Sequence, residues 1–190
     1  SAERILRAKE RWIHPAEPES AGRAEDFAAA ARMAREAVTA VRGKACRASE
    51  KTFFCGCADY RMTQASNADP EAKAFPEYMG ACFGAKFAVC SKDPDEKEIA
   101  ELVKCADGAG NIIFSSCNAH LFRGQLALAA ALAEKGVPMT VAALRNPYDL
   151  PLMPENAALL AAFDYSRDSL AALADVFSGG DCCGVMPAAL

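Results

Sequence analysis

Cys117-Asn118-Ala119-His120-Leu121-Phe122-Arg123-Gly124-Gln125, followed one helix later by Val141-Ala142-Ala143-Leu144-Arg145-Asn146-Pro147-Tyr148-Asp149-Leu150, decides the fold of this chain. Each block is a short apolar run that stops at polar, loop-forming residues, as a buried strand does where it leaves a sheet. Between them, Gln125 to Lys135 has helical spacing, with Gly136 just beyond it as a stop. Strand, helix and strand of these lengths predict parallel strands joined by a right-handed crossover. Ligands and neighbouring domains meet such sheets at the carboxyl ends of the strands, so the polar residues gathered there mark a candidate site.

The same alternation extends in both directions. Lys51 to Cys57, Phe87 to Ser91, Ile112 to Cys117, Met139 to Leu144 and Ala157 to Phe163 read as strands. Asp93-Pro94-Asp95-Glu96 is a helix start, because an Asp side chain can accept a backbone N–H and Pro at the first helical position loses no bond. Ile99, Leu102, Val103 and Ala106 follow at helical spacing up to Gly108, and Ser166-Arg167-Asp168 caps a last helix whose Leu170, Leu173 and Phe177 face a core. The expected architecture is a three-layer α/β/α sandwich around a mainly parallel sheet of about five strands, preceded by N-terminal helices. Residues 3 to 12 are helical, Pro15 and Pro18 punctuate a linker, and residues 22 to 42 read as one Ala-rich helix with Phe27, Ala31, Ala34, Val38 and Val41 on one face. Ala58 to Gly84 mixes aromatic residues with Pro, Asn and Gly and reads as a broken helix or a large loop. The expected division is a helical lead-in over 1–45 and the sandwich over 46–190.

Composition narrows the function classes. A chain of 190 residues accommodates one such domain but not a complete (β/α)8 barrel of about 250 residues beside it. With 52% hydrophobic and 24% charged residues it is an ordinary globular sequence. A net charge of -4 with dispersed Lys and Arg provides no basic stripe for nucleic acid. The longest apolar stretch, Leu126 to Ala133, falls far short of the ~20 residues that cross a bilayer. Nine cysteines, several inside apolar runs, suit a reducing compartment and favour the cytoplasm, without fixing the location. The spacings Cys55-Gly56-Cys57 and Cys182-Cys183 lack the gap of common zinc pairs, with only His14 and His120 to supplement them. Neither a metal nor a cofactor is expected. The single glycine of Cys55-Gly56-Cys57-Ala58-Asp59 is no dinucleotide fingerprint, and neither a Walker sequence nor a G-x-S-x-G elbow is present.

The candidate site residues are Asn118, His120, Arg123, Arg145, Asn146 and Tyr148. A catalytic histidine needs a positioned partner such as a carboxylate, and no local one stands near His120, so a loop histidine that bonds backbone or faces a neighbouring domain is the favoured reading. Arg123 and Arg145 carry guanidinium forks that bind carboxylates or sugar hydroxyls; a salt bridge to Asp149, or to an acid on another domain, is an equal alternative. Asn118, Asn146 and Tyr148 can donate to a ligand, yet Asn146-Pro147-Tyr148-Asp149 is equally good turn chemistry. Glycosidases use paired carboxyl groups, and Asp149 and Asp164 lie near strand ends, though nothing in the spacing sets their separation. Cys117 beside Asn118 and His120 resembles a thiol nucleophile, but the last buried residue of a strand explains it at least as well.

These blocks, with Ala161-Ala162-Phe163-Asp164-Tyr165-Ser166 and the closing stretch from Ala172 to Pro187, resemble the C-terminal domain of glycoside hydrolase family 3, in the flavour of its bacterial β-N-acetylglucosaminidase branch. The resemblance runs from about Lys86 to the end. Ile5-Leu6-Arg7-Ala8-Lys9-Glu10-Arg11 is similar to the last helix of that family's N-terminal barrel. It implies a flavodoxin-like sandwich and a (β/α)8 barrel as partner in the natural chain. It also implies a carbohydrate ligand and hydrolysis of terminal β-linked sugars, N-acetylglucosamine of cell-wall fragments among them. By the same resemblance the nucleophilic aspartate and the acid/base histidine of that branch belong to the barrel. No catalytic residue is therefore assigned in this chain, and the fragment alone is expected to be inactive. The rival expectation is a stand-alone domain binding a small ligand or a protein through the same edge.

Overall fold

The computed structural model describes residues 2–13, 23–57 and 73–187, divided into two units, 1–30 and 31–190. In the first, α1 (Ala2–Trp12) buries none of its side chains and leaves Ile5, Leu6, Trp12 and the following Ile13 exposed. Pro15, Pro18 and His14 lie outside the described residues. Next, α2 (Ala24–Ala37) ends well short of the expected Arg42, and Thr39–Arg42 form a strand, β1. Val38, Thr39 and Val41 are β-branched, which restricts their side-chain rotation in a helix and suits them to a pleated strand. Tertiary bonds secure the exchange: the Arg42 guanidinium donates to the carbonyls of Pro154 and Ala157, and the Gly184 N–H donates to the Val38 carbonyl at 2.9 Å.

The remaining strands are β2 (Thr52–Cys57), β3 (Lys86–Cys90), β4 (Asn111–Ser116), β5 (Met139–Ala143) and β6 (Ala158–Ala161). They form one six-stranded sheet in the order β1-β6-β5-β4-β2-β3. The five expected strands are all parallel, and β1 adds an antiparallel edge on β6, with Thr39 opposite Ala161. Every residue of β2 and β5 is buried, which explains why these strands read as continuous apolar runs.

Four further helices cover the sheet: α3 (Phe75–Phe83), α4 (Glu96–Cys105), α5 (Arg123–Ala133) and α6 (Arg167–Phe177). On one face α3 lies on β2 and β3 and meets α6; on the other, α4 and α5 pack together over β3 and β4. The result is a three-layer α/β/α fold. Under α3 and α6, Phe54, Phe75 and Phe177 cluster with ring centres 6.2 to 6.4 Å apart, and Phe83 stacks on Phe54 at 5.8 Å. Aromatic groups of this kind add about 0.5–1.5 kcal/mol per pair beyond their buried area. The helix α3 occupies the end of the segment read as a broken helix or loop, while residues 58–72 lie outside the described residues.

One helix start differs in detail. Asp95, not Asp93, caps α4, its carboxylate accepting the Glu98 N–H at 2.8 Å. Asp93 instead accepts the Gly124 N–H at the start of α5, at 2.7 Å. The two helices approach so closely there that a Cβ on Gly124 would lie 2.3 Å from the Pro94 carbonyl oxygen. Ser166 caps α6 as expected, accepting the Ser169 N–H.

Candidate functional site at the carboxyl edge

Strands β4 and β5 are neighbours, so the loops that leave their carboxyl ends lie side by side. The Leu144 N–H donates to the Ser116 carbonyl at 2.9 Å and carries the pairing one residue past the end of β5. Beyond it the two loops join through side chains. Asn146 donates its amide to Asn118 Oδ1 at 2.8 Å, and Asn118 holds a left-handed backbone (φ 55°), a conformation that Asn tolerates better than most residues. Pro147–Leu152 form a short 3₁₀ helix, which delivers Asp149 beneath the first loop.

Asp149 is the residue that sequence reasoning undervalued. It is 0% exposed, and its Oδ1 accepts the His120 backbone N–H at 3.0 Å and lies 2.7 Å from His120 Nδ1. Its Oδ2 has no hydrogen-bond partner among the described residues. A buried carboxylate is tolerable only with such compensation, so this pair fixes the half-buried imidazole through Nδ1 and leaves Nε2 outside the bond to Asp149. The carboxylate partner that His120 lacks locally is supplied from 29 residues along the chain. Tyr148 stands edge-to-face against His120, with ring centres 6.2 Å apart, and is 64% exposed.

The alternative in which Arg145 or Arg123 pairs with Asp149 is not formed, because Asp149 is committed to His120. Arg145 is half-buried after Leu144, and Arg123 is exposed as the first residue of α5. The structure thus brings Asn118, His120, Asn146 and Tyr148 into one cluster with Asp149, with Arg123 and Arg145 on the same two loops.

Gln125 also escaped notice. Wholly buried, it accepts the Cys117 N–H at 3.0 Å and donates to the carbonyls of Cys117 and Lys92, at 3.2 and 2.9 Å. A polar residue in line with the buried Leu128, Ala129 and Leu132 of α5 was the available signal. Through it Lys92, just past β3, joins the site, its ammonium 4.4 Å from the centre of the Phe122 ring.

Cys117 is buried, and its thiol meets that of Cys57 across the sheet. The hydrogen bond from Cys57 lowers the Cys117 pKa; burial and the Asp149 charge oppose this, while the charges of Arg145 and Lys92 assist it. The same hydrogen bond, with burial, pushes Cys57 well above the usual thiol range. Cys117 therefore pairs with another thiol, the arrangement of an end-of-strand core residue. All nine cysteines are free, and no group of three or more His, Cys, Asp or Glu among the described residues is placed to hold a metal ion.

Asp164 has its own structural task. Burial would raise its pKa, but hydrogen bonds from Ser166, the Tyr165 N–H and Ser169 outweigh that and hold it below the ordinary carboxylate value. The Ser169 hydroxyl donates to Asp164 Oδ2 at 3.0 Å at the start of α6. Both acids near strand ends thus have structural partners in their own surroundings.

No family model and no curated protein matches the chain. Solved structures do. A glycoside hydrolase family 3 β-N-acetylglucosaminidase from Paenibacillus sp. str. FPU-7 superposes with a TM-score of 0.79 over 98% of this chain at 22% identity, and 38% of its own length is covered. A fungal multi-domain β-N-acetylglucosaminidase of the same family follows with a TM-score of 0.70 at 16% identity, over 93% of this chain and 21% of its own. The β-glucosidase of Listeria innocua in complex with isofagomine gives 0.65 at 12% identity, over 93% and 30%. At these identities the likeness is one of fold, and the chain spans between 21% and 38% of these enzymes. Nearly the whole of it has the fold of one part of family 3 glycoside hydrolases.

Proposed function

We propose that this chain is the accessory C-terminal sandwich of a family 3 glycoside hydrolase, an enzyme that removes terminal β-linked sugars, with N-acetylglucosamine as the favoured sugar. The observation that carries the reading is the superposition on a β-N-acetylglucosaminidase over 98% of this chain but only 38% of that enzyme. The uncovered apolar residues Ile5, Leu6 and Trp12 of α1, with the following Ile13, add support, since exposed apolar surface of this kind is characteristic of a face that meets another domain. In this reading a (β/α)8 barrel of the same natural chain supplies the nucleophile and the acid/base group. The carboxyl edge with Asn118, His120, Arg123, Arg145, Asn146 and Tyr148 lines one side of the sugar cleft. The pair His120–Asp149 holds that edge in shape.

The test is hydrolysis of a panel of chromogenic β-glycosides, including the N-acetylglucosaminide, by the 190-residue chain and by the protein extended upstream in its reading frame. Turnover by the extended protein alone is the expected result. Turnover by the short chain that Asp149→Ala or Asp164→Ala abolishes, or an upstream frame that encodes no barrel, overturns the proposal.

A further inference from the structure

The chain past α6 forms a strap with a strict alternation of burial. Cys182, Gly184 and Met186 are half-buried, while Asp181, Cys183, Val185 and Pro187 are exposed. Cys182 and Met186 pack against the core. Gly184 donates its N–H to the Val38 carbonyl at 2.9 Å, and a Cβ there would lie 2.2 Å from Thr39 Oγ1. The strap therefore runs extended beside the start of β1, with successive side chains on opposite sides of it, as in a strand. Just before the cysteines, the Asp181 carbonyl accepts from Arg35 Nη1 at 2.7 Å.

Cys182 and Cys183 are the one adjacent pair among the nine cysteines of the chain, and the extended strap holds their thiols apart. Cys182 is turned to the core, whereas Cys183 is exposed with its Sγ 3.8 Å from the Asp181 carbonyl. Both thiols are free. A disulfide needs Cβ atoms about 3.5–4.5 Å apart on the same side, so joining two neighbours requires the backbone to turn between them. Such a turn ends the alternation. It takes Cys182 out of its half-buried place and breaks the register that sets Gly184 against Val38.

We propose that Cys182 and Cys183 form a vicinal dithiol site for low-molecular-weight disulfides of the glutathione type, and that closing the pair releases the strap from β1. The Cys183 thiolate attacks one sulfur of oxidised glutathione, which breaks that S–S bond, expels one glutathione thiolate and leaves a mixed disulfide on Cys183. The Cys182 thiolate then attacks the Cys183 sulfur and expels the second glutathione. The two cysteine protons end on the two glutathione thiols; the cysteine pair loses two electrons and the glutathione disulfide gains them. Exposure sets this order: burial pushes the Cys182 thiol up against the opposing charge of Arg35, and the charges of Cys183 and Asp181 reinforce the rise. Because the oxidised form gives up contacts of the strap, its disulfide is of the strained, readily reduced kind, suited to reversible switching. By linkage, a change that opens the strap favours the disulfide by the same factor.

The experiment treats the reduced 190-residue chain with oxidised glutathione, blocks the remaining thiols with N-ethylmaleimide and maps the peptides by mass. The peptide that holds Cys182 and Cys183 is expected to be lighter by the mass of two hydrogens and free of glutathione. Amide hydrogen exchange of the oxidised chain is expected to be about fivefold or more faster at Gly184 and in β1, with β4 and β5 unchanged, which reads the loss of a backbone hydrogen bond. Cys182→Ser is expected to stop at a mixed disulfide on Cys183 and to keep the exchange of the parent. Gly184→Ala, whose Cβ has no room beside Thr39, is expected to form the disulfide in a glutathione buffer about fivefold less oxidising. If Gly184→Ala does not fold, exchange in the parent and the outcome for Cys182→Ser decide. A parent that stops at the mixed disulfide, a disulfide from either residue to a third cysteine, a vicinal disulfide with unchanged exchange at Gly184, or a folded Gly184→Ala with an unshifted buffer ratio overturns the proposal.

Discussion

Replacing Asp149 removes the acceptor of both His120 bonds, and the structure allows the cost to be worked out. Hydrogen bonds to a charged group contribute about 1.5–3 kcal/mol each, and two end on Asp149 Oδ1. Against this stands the desolvation cost of a carboxylate that is 0% exposed and has an unpartnered Oδ2, which disappears with the side chain. Asp149→Ala is therefore expected to cost about 3 kcal/mol net, toward the lower end of the range for breaking a buried pair. His120→Ala leaves the buried charge with only a backbone donor and is expected to cost a similar amount, about 3 kcal/mol. The double variant no longer buries an uncompensated charge, so it should be less destabilised than the sum, with a coupling energy of about 1–3 kcal/mol. For a domain of this size each kcal/mol lowers Tm by about 2–4 °C, so urea and thermal unfolding of the four proteins resolve the cycle. Additive single costs, or an Asp149→Ala variant within about 0.5 kcal/mol of the parent, would refute the argument that this pair is the organising contact of the edge.

Ser115 carries a buried hydroxyl without a partner among the described residues, so Ser115→Ala is expected to leave stability unchanged or raise it by about 1 kcal/mol in urea unfolding. A Cβ on Gly56 would lie 1.9 Å from that hydroxyl, so Gly56→Ala should destabilise by about 1–3 kcal/mol and be partly rescued by Ser115→Ala; absence of rescue would rule out this clash as the cause. The Asp164 carboxyl is held below its ordinary value in the folded chain, so its contribution is fully present above the unfolded pKa and is lost as pH falls through the folded one. The stability gap between the parent and Asp164→Asn should accordingly be constant near neutrality and shrink in acid, and a gap that grows in acid would contradict the assignment. Thiol labelling should be fast at the exposed Cys82, Cys105 and Cys183 and should await unfolding at Cys55, Cys57, Cys90 and Cys117, as mass mapping after brief reaction can establish.

Strands whose faces are both covered announce themselves, and Thr52–Cys57 and Ile112–Ser116 were legible for that reason. The strand Thr39–Arg42 was not. It is four residues long, continues an Ala-rich helix without Gly or Pro, and owes its state to the β6 edge and to the Arg42 bonds, which only the folded chain supplies. At the edge, the residue types near the strand ends were visible, but their pairing was not. His120 and Asp149 meet because β4 and β5 are adjacent in the sheet, so the relation lives in topology and not in local spacing. Asp93 shows the reverse case, a capping residue by local chemistry that is recruited by a neighbouring helix.

The bond from Gly184 to Val38 reaches further than holding β1 in place. With Arg35 donating to the Asp181 carbonyl and pairing with Asp175, it brings the outgoing chain back over the point where the sheet begins. A Cβ at Gly184 would lie 2.4 Å from the Ala37 carbonyl oxygen, so the crossing is as tight as a backbone permits. Entry and exit at one spot are what let a domain be spliced into a loop of another protein, or its old ends be joined and new ones opened elsewhere. Here that spot lies beside the carboxyl end of β6, where Thr39 faces Ala161, so chain joined or opened there would meet the sandwich on the same edge as the His120–Asp149 pair.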